Sequence, residues 1–268
     1  MLSREKVNFV MSKQLKDIAL QWAGLILVWA CSDPTWAQAT IKRDGQWRSA
    51  LGIGGSVSSG NNRSTNLTMT GEAVRATTSS KWSMTGRLLY ATAQGDTTTD
   101  NKALGFQFNK DVSDEVFAST TLDYLKDQPA NLNARLSWLA GPGWHLVDND
   151  DTTIDLTAGL AYTQDQFVHP ALVADALRSS YGRGEWMAGE QSTHRLSNSA
   201  SFRQKLTLFT NTSRTGGSRF VFEAGLSMAI NSRMNLTTGY THHYEKDPGM
   251  GLKNSSGLLI TGISFKLD

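Results

Sequence analysis

Apolar side chains alternate with polar or small ones along most of the chain, and this periodicity constrains the fold more than any other feature. In residues 220–230 every second residue from Phe220 onward is apolar, and Glu223, Gly225 and Ser227 lie between them. Residues 234–244 repeat the pattern after a turn at 231–233. A period of two is typical of β-strands, and segments of about ten residues match a tilted strand that crosses a bilayer.

Alternation and turn residues together predict an all-β fold, a transmembrane antiparallel β-barrel of about twelve strands. Segments 65–77 and 184–196 alternate least clearly. An even number of strands places both ends of the barrel on one side of the membrane. The predicted strands are residues 46–58, 65–77, 81–93, 101–111, 115–126, 131–144, 152–165, 184–196, 200–211, 218–230, 234–245 and 257–267.

The connections after even-numbered strands are predicted to be short, and those after odd-numbered strands mostly longer. Bacterial outer-membrane barrels have this segregation, with short periplasmic turns and longer external loops. In the longest connection, residues 171–177 follow Pro170 and suit a short helix that caps the external mouth, although a tolerated surface insertion is favoured. The short connections are 78–80, 112–114, the region of 149–150, 197–199 and 231–233; the longer ones are the region of 60–62, 95–100, 127–130, 166–183, 211–217 and 246–256.

Residues 1–39 have the organisation of a cleavable secretory signal peptide. Lys13 and Lys16 precede an apolar stretch at 18–30, and Ala37-Gln38-Ala39 is a small-x-small cleavage site. A retained membrane anchor is the alternative. Met11 suits a translation start, and residues 40–268 form the predicted barrel.

The single cysteine, Cys31, lies inside the predicted signal peptide. A mature chain without Cys31 would have no disulfide, no thiolate metal site and no cysteine nucleophile. Residues 28–31 resemble a lipoprotein cleavage box only distantly, because Trp29 is bulky for its place, so lipidation of Cys31 is the less favoured alternative. The formal net charge of +2 argues against a nucleic-acid partner.

The polar faces of the predicted strands carry charges of both signs, and we expect these faces to line the lumen. Opposite charges on neighbouring strands would pair, and Arg135 could reach Asp123 or Asp155. Such pairing predicts a filled, structural lumen; a solute path of weak selectivity is the alternative, since no ring of one sign is present. The predicted lumen charges are Arg48, Glu72, Arg87, Asp123, Arg135, Asp155, Arg203, Lys205 and Glu223.

The sequence offers few catalytic candidates. His242 and His243 are adjacent on a predicted strand and therefore point to opposite faces. No Gly-x-Ser-x-Gly, His-Glu-x-x-His or phosphate-binding Gly-Lys-Ser/Thr motif is present. We therefore predict a non-enzymatic protein with no cofactor and no metal. An enzyme acting on lipid would need a serine or aspartate beside His145, His194 or His242.

Several segments together resemble a known family. The chain is similar to the YdiY-like proteins of unknown function, a family named for salt-induced outer-membrane proteins. The resemblance spans residues 46–268 and implies an outer-membrane β-barrel without a known activity or catalytic residues. The chain departs from outer-membrane barrels at Asp268, where the assembly machinery usually reads an aromatic residue. The resemblance is carried by the glycine-rich strand and Ser-Gly-Asn turn at 51–62, the Thr/Ser-rich residues 63–68, and residues 202–209, 240–244, 247–249 and 258–267.

These observations predict a structural or small-solute permeability protein in the outer membrane of a Gram-negative bacterium, with a salt-stress role implied by the resemblance. Its expected partners are outer-membrane lipid, the assembly machinery and a small solute. Two alternatives remain: an outer-membrane lipid-modifying hydrolase, and a soluble periplasmic β-barrel that binds a ligand. The last would turn its apolar face inward.

Overall fold

The computed structural model describes residues 39, 41–58, 64–213, 217–248 and 253–267. Their twelve antiparallel strands close into a barrel in which each strand pairs with its sequence neighbours and β12 pairs with β1. The strands are β1 (Trp47–Ser58), β2 (Ser64–Ala76), β3 (Ser80–Ala93), β4 (Asp96–Asp111), β5 (Val116–Asp127), β6 (Leu132–Asp148), β7 (Thr152–Val173), β8 (Ala176–Arg195), β9 (Ala200–Asn211), β10 (Ser218–Ala229), β11 (Met234–Glu245) and β12 (Ser255–Lys266).

The predicted fold class is confirmed, including the two segments with the weakest alternation, which form β2 and β8. We call the end with the turns after even-numbered strands the lower end, and the opposite end the upper end. Every connection at the lower end is short, as predicted, with three or four residues between successive strands. β1 begins and β12 finishes at this lower end.

The apolar face of each strand points outward. Leu51 on β1, Leu104 on β4 and Leu160 on β7 each expose more than half of their surface on the barrel exterior, with relative exposures of 54%, 61% and 54%. Residues of the opposite parity are polar and buried, as Thr163 and Ser264 show. This orientation is the reverse of the one that the soluble ligand-binding alternative requires.

Two predicted upper loops are wrong. Residues 166–183 form no helix but an extended hairpin of β7 and β8, which turns at Ala174 and Asp175 with positive φ angles of 50° and 59°. Residues 95–100 belong largely to β4, which follows β3 after a turn at Gln94 and Gly95. The alternation that marks a strand is absent from both hairpins, because residues 96–101 are all polar and residues 171–173 are all apolar.

The barrel closes along a short seam. β1 and β12 share four register pairs, from Ala50 opposite Lys266 to Ile53 opposite Ile263. β1 is paired with β2 along its whole length, from Trp47 opposite Arg75 to Ser58 opposite Ser64. The β1–β12 ladder is therefore much shorter than the ladder on the other side of β1.

β6 and β7 approach each other closely where both lack side chains. A Cβ atom on Gly141 would lie 2.0 Å from the carbonyl oxygen of Ala158, and one on Gly159 would lie 2.2 Å from that of Ala140. Pro142, next to Gly141, has no N–H to donate to the ladder. Glycine is thus required at both positions for the two backbones to pass.

Part of the chain that precedes β1 lies against the inside of the wall. Ala39 is buried with Ala50 and Val74, and Ile41 packs on this cluster. None of the described residues belongs to a helix long and apolar enough to cross a membrane. Apart from Ala39, the predicted signal peptide with Cys31 and the start at Met11 lie outside the described residues, as do residues 60–62 and Asp268.

Candidate functional site in the barrel lumen

The inward faces of the strands enclose a cavity of about 320 Å³. Phe117, Leu139, Met187 and Phe209 contribute apolar patches among the polar and charged groups of the lining. Arg48 lies on the inward face of β1 at the lower end, where its guanidinium group pairs with Asp44 at 2.5 Å. The other eight predicted lumen charges all line the cavity: Glu72, Arg87, Asp123, Arg135, Asp155, Arg203, Lys205 and Glu223.

The upper part of the lumen is filled by six charged side chains, which we call the upper ion network: Arg135, Asp165, Arg183, Glu185, Arg219 and Glu245. Arg135 donates two hydrogen bonds to Asp165 on the adjacent strand, at 2.6 and 2.8 Å. Its Nη1 and Nη2 also reach Glu245 on β11, at 3.1 Å each. β6 and β11 are five strands apart in the ring, so this contact spans the lumen.

The remaining members of the upper ion network surround Glu185, whose side chain is 1% exposed. Arg219 donates to both carboxylate oxygens of Glu185, at 3.1 and 2.9 Å, and Thr163 Oγ1 donates at 2.6 Å. Arg183 donates to Glu185 at 3.2 Å and to Asp165 at 2.7 Å. Three guanidinium groups thus neutralise three carboxylates, which satisfies charges that would be costly if buried alone.

A smaller set of contacts closes the lower part of the lumen, and we call Ala39, Glu72 and Arg203 the lower closure. Arg203 Nη1 donates to Glu72 at 2.7 Å across the barrel from β9 to β2. The backbone N–H of Ala39 donates to the other oxygen of Glu72 at 2.8 Å, and the carbonyl of Ala39 accepts from Arg203 at 3.3 Å. Main chain from before β1 therefore completes this layer.

The segment that leads from Ala39 to β1 is fixed to the lower rim. Gly45 donates its N–H to Ala76 and accepts from Arg75 Nε, both at 2.7 Å. Arg43 forms two hydrogen bonds with Asp148 at the end of β6, at 2.5 and 2.6 Å. The hydrogen bonds from Arg48 hold the pKa of the exposed Asp44 carboxyl below its usual range.

The sequence predicted that Arg135 pairs with Asp123 or Asp155, and this prediction is wrong. Arg135 pairs with Asp165 and Glu245. Asp155 instead lies 2.7 Å from Nδ1 of His145, whose Nε2 lies 3.5 Å from Asp111. Both partners are the last residues of predicted strands, 152–165 and 234–245. The contact with Glu245 joins β6 to β11 across the lumen, and alternation along a single strand does not reveal such a pair.

Between the two ion-paired layers, the cavity holds charges that make no ion pair with another described residue. Lys205 and Glu223 are register partners on β9 and β10, yet their charged groups form no contact within ion-pair distance. Asp123 on β5 likewise has no such partner among the described residues. The middle of the lumen therefore offers both an ammonium group and carboxylates to a solute.

The histidines have different surroundings. His145 faces the lumen between two aspartates, and Thr152 Oγ1 lies 3.3 Å from Nδ1 of His194. His242 lies on the exterior, 3.1 Å from Ser255 Oγ. Within the described ranges, no group of three or more His, Cys, Asp or Glu side chains is arranged to hold a metal ion.

A closed twelve-stranded antiparallel barrel with an apolar exterior and a charged lumen defines the structural class of the molecule. The chain belongs to the family described as "Protein of unknown function, DUF481", whose model matches residues 51–266. A search of curated proteins gave no significant match.

Three solved structures illustrate what the chain is similar to. The NanC porin is 10% identical, with a TM-score of 0.44 over 82% of this chain and 96% of that one. The translocator domain of the autotransporter NalP from Neisseria meningitidis is 13% identical, with a TM-score of 0.45 over 98% and 97%. The COG4313 outer membrane channel from Pseudomonas putida F1 is 8% identical, with a TM-score of 0.43 over 85% and 96%.

Proposed function

We propose that the protein is an integral barrel of the Gram-negative outer membrane, with its lower end in the periplasm. The observation that carries this proposal is the continuous apolar exterior, on which side chains such as Leu104, at 61% exposure, have no protein neighbour to cover them. Soluble proteins rarely expose apolar surface of this extent. A strand of twelve residues with a rise of about 3.3 Å and a tilt of about 45° spans roughly 28 Å, close to the hydrocarbon thickness.

Aromatic residues on the exterior support the same placement. Trp47 and Trp144 lie toward the lower ends of their strands and are 49% and 41% exposed. Tyr240 and Tyr90 lie toward the upper ends and are 37% and 48% exposed. Tryptophan and tyrosine are enriched at both membrane–water interfaces, so two such levels fit the two faces of a bilayer.

The lumen favours a structural barrel or one of restricted permeability over an open pore. Cross-barrel ion pairs obstruct the path above and below the central cavity, in the upper ion network and the lower closure. A solute that entered the cavity would meet charges of both signs, which suits a small polar or zwitterionic molecule. Such a lining gives weak selectivity between ions.

Other parts of the proposal rest on the sequence. We include export through the signal peptide at 1–39, contact with the outer-membrane assembly machinery, and a role in salt or osmotic stress that the resemblance to the YdiY-like proteins implies. No nucleic acid is expected among the partners, since the net charge is only +2.

Membrane fractionation tests the placement. The mature protein should sediment with outer membranes and migrate differently on gels before and after heating, as folded barrels do. A main pool in the soluble periplasmic fraction would overturn the proposal. The expressed protein should include residues 1–39 and β12, so that export is tested on the full chain.

A substitution on the exterior tests which face meets lipid. Leu226 on β10 is 36% exposed on the outside, and Gly225 lines the cavity. Leu226→Arg should lower the free energy of unfolding in lipid by about 2–4 kcal/mol, because it moves a charge into hydrocarbon. Gly225→Ser is the matched control and should cost less in urea titrations of the refolded barrel in vesicles. The reverse order would invert the assignment of faces.

A further inference from the structure

A serine, a histidine and a tyrosine form a chain of hydrogen bonds on the outer face of the barrel near its upper end. Ser255 Oγ lies 3.1 Å from Nε2 of His242, and Nδ1 of the same ring lies 3.1 Å from Tyr240 Oη. Tyr240 and His242 are two residues apart on β11 and therefore share a face. Ser255 is the first residue of β12.

One tautomer of His242 satisfies both hydrogen bonds in the direction that activates the serine. With its proton on Nδ1, the imidazole donates to Tyr240 Oη, and Nε2 accepts the hydroxyl proton of Ser255. An imidazole in this state acts as a general base toward a serine nucleophile. The phenolic oxygen occupies the place that a carboxylate has in hydrolytic triads, and as a weaker acceptor it orients the ring with less stabilisation of the imidazolium.

The ring of His242 packs against an aromatic neighbour. Phe220 stacks on it with a centroid separation of 5.5 Å and an interplanar angle of 22°. Gly257 is its register partner on β12. A Cβ atom at Gly257 would lie 3.3 Å from Tyr240 Oη and 3.8 Å from His242 Nδ1. Glycine here keeps side-chain atoms of β12 away from the Tyr240 hydroxyl and the His242 ring.

The site lies at the depth where lipid esters are found. With a rise of about 3.3 Å per residue and a tilt of about 40°, His242 is roughly 20 Å above the start of β11 at Met234. The apolar band of an outer-membrane barrel is about 25 Å tall, so His242 is near its upper edge. Ester linkages of membrane lipids lie at this border between acyl chains and headgroups.

We propose that Ser255 and His242 are catalytic residues of an esterase site for the fatty-acyl esters of outer-leaflet lipids, with Tyr240 as a positioning residue. Ser255 Oγ attacks the ester carbonyl, and its proton passes to His242 Nε2. The carbon–oxygen bond to the alcohol breaks as the alcohol takes that proton. Water, deprotonated by the same imidazole, then cleaves the acyl-serine, which releases the fatty acid and restores the serine. This inference rests on the proposed membrane placement.

The chemistry can be tested in detergent micelles, where it does not depend on orientation in a membrane. Full-length refolded protein is treated with a fluorophosphonate probe, and the modified residue is mapped by mass spectrometry. Wild type should be labelled at Ser255, and Ser255→Ala should not be labelled. Ser256→Ala is the matched control, because Ser256 is the next residue and points to the opposite face of β12; it should be labelled like wild type.

Two further variants separate catalysis from packing. His242→Asn should slow labelling by about 100-fold or more, the typical effect of losing a general base. Tyr240→Phe keeps the ring but removes the acceptor, so it should change the pH dependence of labelling, which a purely packing role would leave unchanged. The heat-induced gel shift shows that each variant is folded.

The lipid source is distinguished with two kinds of vesicle, one of phosphatidylethanolamine and one containing lipopolysaccharide. Fatty acid released by wild type and Ser256→Ala, but not by Ser255→Ala, supports the proposal and identifies the lipid. Folded wild type that is not labelled at Ser255, or that is labelled but releases no fatty acid from either vesicle, overturns it. A failed membrane fractionation with positive labelling would instead count against the proposed membrane placement.

Discussion

The upper ion network and the lower closure obstruct the same lumen by different means. The upper ion network is built from strand residues alone, and its central groups are deeply buried, with side-chain exposures of 1% for Glu185 and 7% for Arg183. The lower closure has a single ion pair, in which Arg203 is 21% exposed, and it needs the backbone of Ala39. The upper network is therefore part of the wall, whereas the lower closure depends on a segment that precedes the wall.

Among the substitutions in the two layers, replacement of Glu185 should lower the free energy of unfolding most. Glu185→Ala leaves Arg219 and Arg183 without their shared carboxylate in a buried site, and the loss of one member of a buried pair costs about 3–5 kcal/mol. Glu190→Ala on the same strand is the control, because Glu190 accepts one hydrogen bond, from Gln204 at 3.2 Å. Urea unfolding in vesicles measures both, and equal losses would contradict a special role for the upper ion network.

Removal of the cross-barrel contact between Arg135 and Glu245 should give the next largest loss of stability. A double-mutant cycle of Arg135→Ala and Glu245→Ala should show a coupling energy of up to about 3 kcal/mol, as expected for residues in one network. Arg135→Ala combined with Asp123→Ala should be additive, since these residues make no ion pair. In planar bilayers the Arg135/Glu245 double variant should also conduct more than wild type, and unchanged conductance would mean that another layer limits flow.

Breaking the lower closure should cost less stability than either change in the upper ion network. Arg203→Ala removes a charged hydrogen bond to Glu72, worth roughly 1.5 kcal/mol, and should release residues 41–46 from the rim. Hydrogen exchange followed by mass spectrometry should then be faster in this segment but unchanged in the β7–β8 hairpin. If exchange in the two regions rises together, the segment does not separate from the wall as an independent unit.

The smallest effect is expected from the outermost contact of that segment. Arg43 is 57% exposed in its pair with Asp148, and surface ion pairs contribute about 0–1 kcal/mol. Arg43→Ala should therefore leave the urea midpoint nearly unchanged. A loss as large as that of Arg203→Ala would show that the rim, rather than the Arg203–Glu72 pair, holds the segment.

The strands were predictable because burial in a barrel wall imposes a period of two, and even β8, with its weak pattern, contains nearly all of the predicted segment 184–196. The prediction failed in the upper hairpin of β7 and β8. Near Arg178 and Ser180 both faces of β8 are polar, so no alternation distinguishes a strand from a loop. A helix after Pro170 satisfied local propensity, but cross-strand pairing of Ala171 with Arg178 replaced it.

The composition of the lumen was predictable, but its pairing was not. Strand parity alone brings Arg203 and Lys205 to the inward face. The contact of Arg203 with Glu72 joins β9 to β2, and no local rule of sequence relates strands so far apart in the ring. Which residues meet across the lumen depends on strand tilt and stagger in the closed barrel. The site of Ser255 and His242 depends in the same way on the register between β11 and β12.

The short seam between β1 and β12 has a consequence for how the wall comes apart. Above the pair of Ile53 and Ile263, the part of β12 that the structure describes has no register partner among the described residues of β1. Each unpaired N–H or C=O group in hydrocarbon costs several kcal/mol. The upper seam is thus the least paired edge in the ring. We expect the wall to separate along this edge before any other ladder is lost.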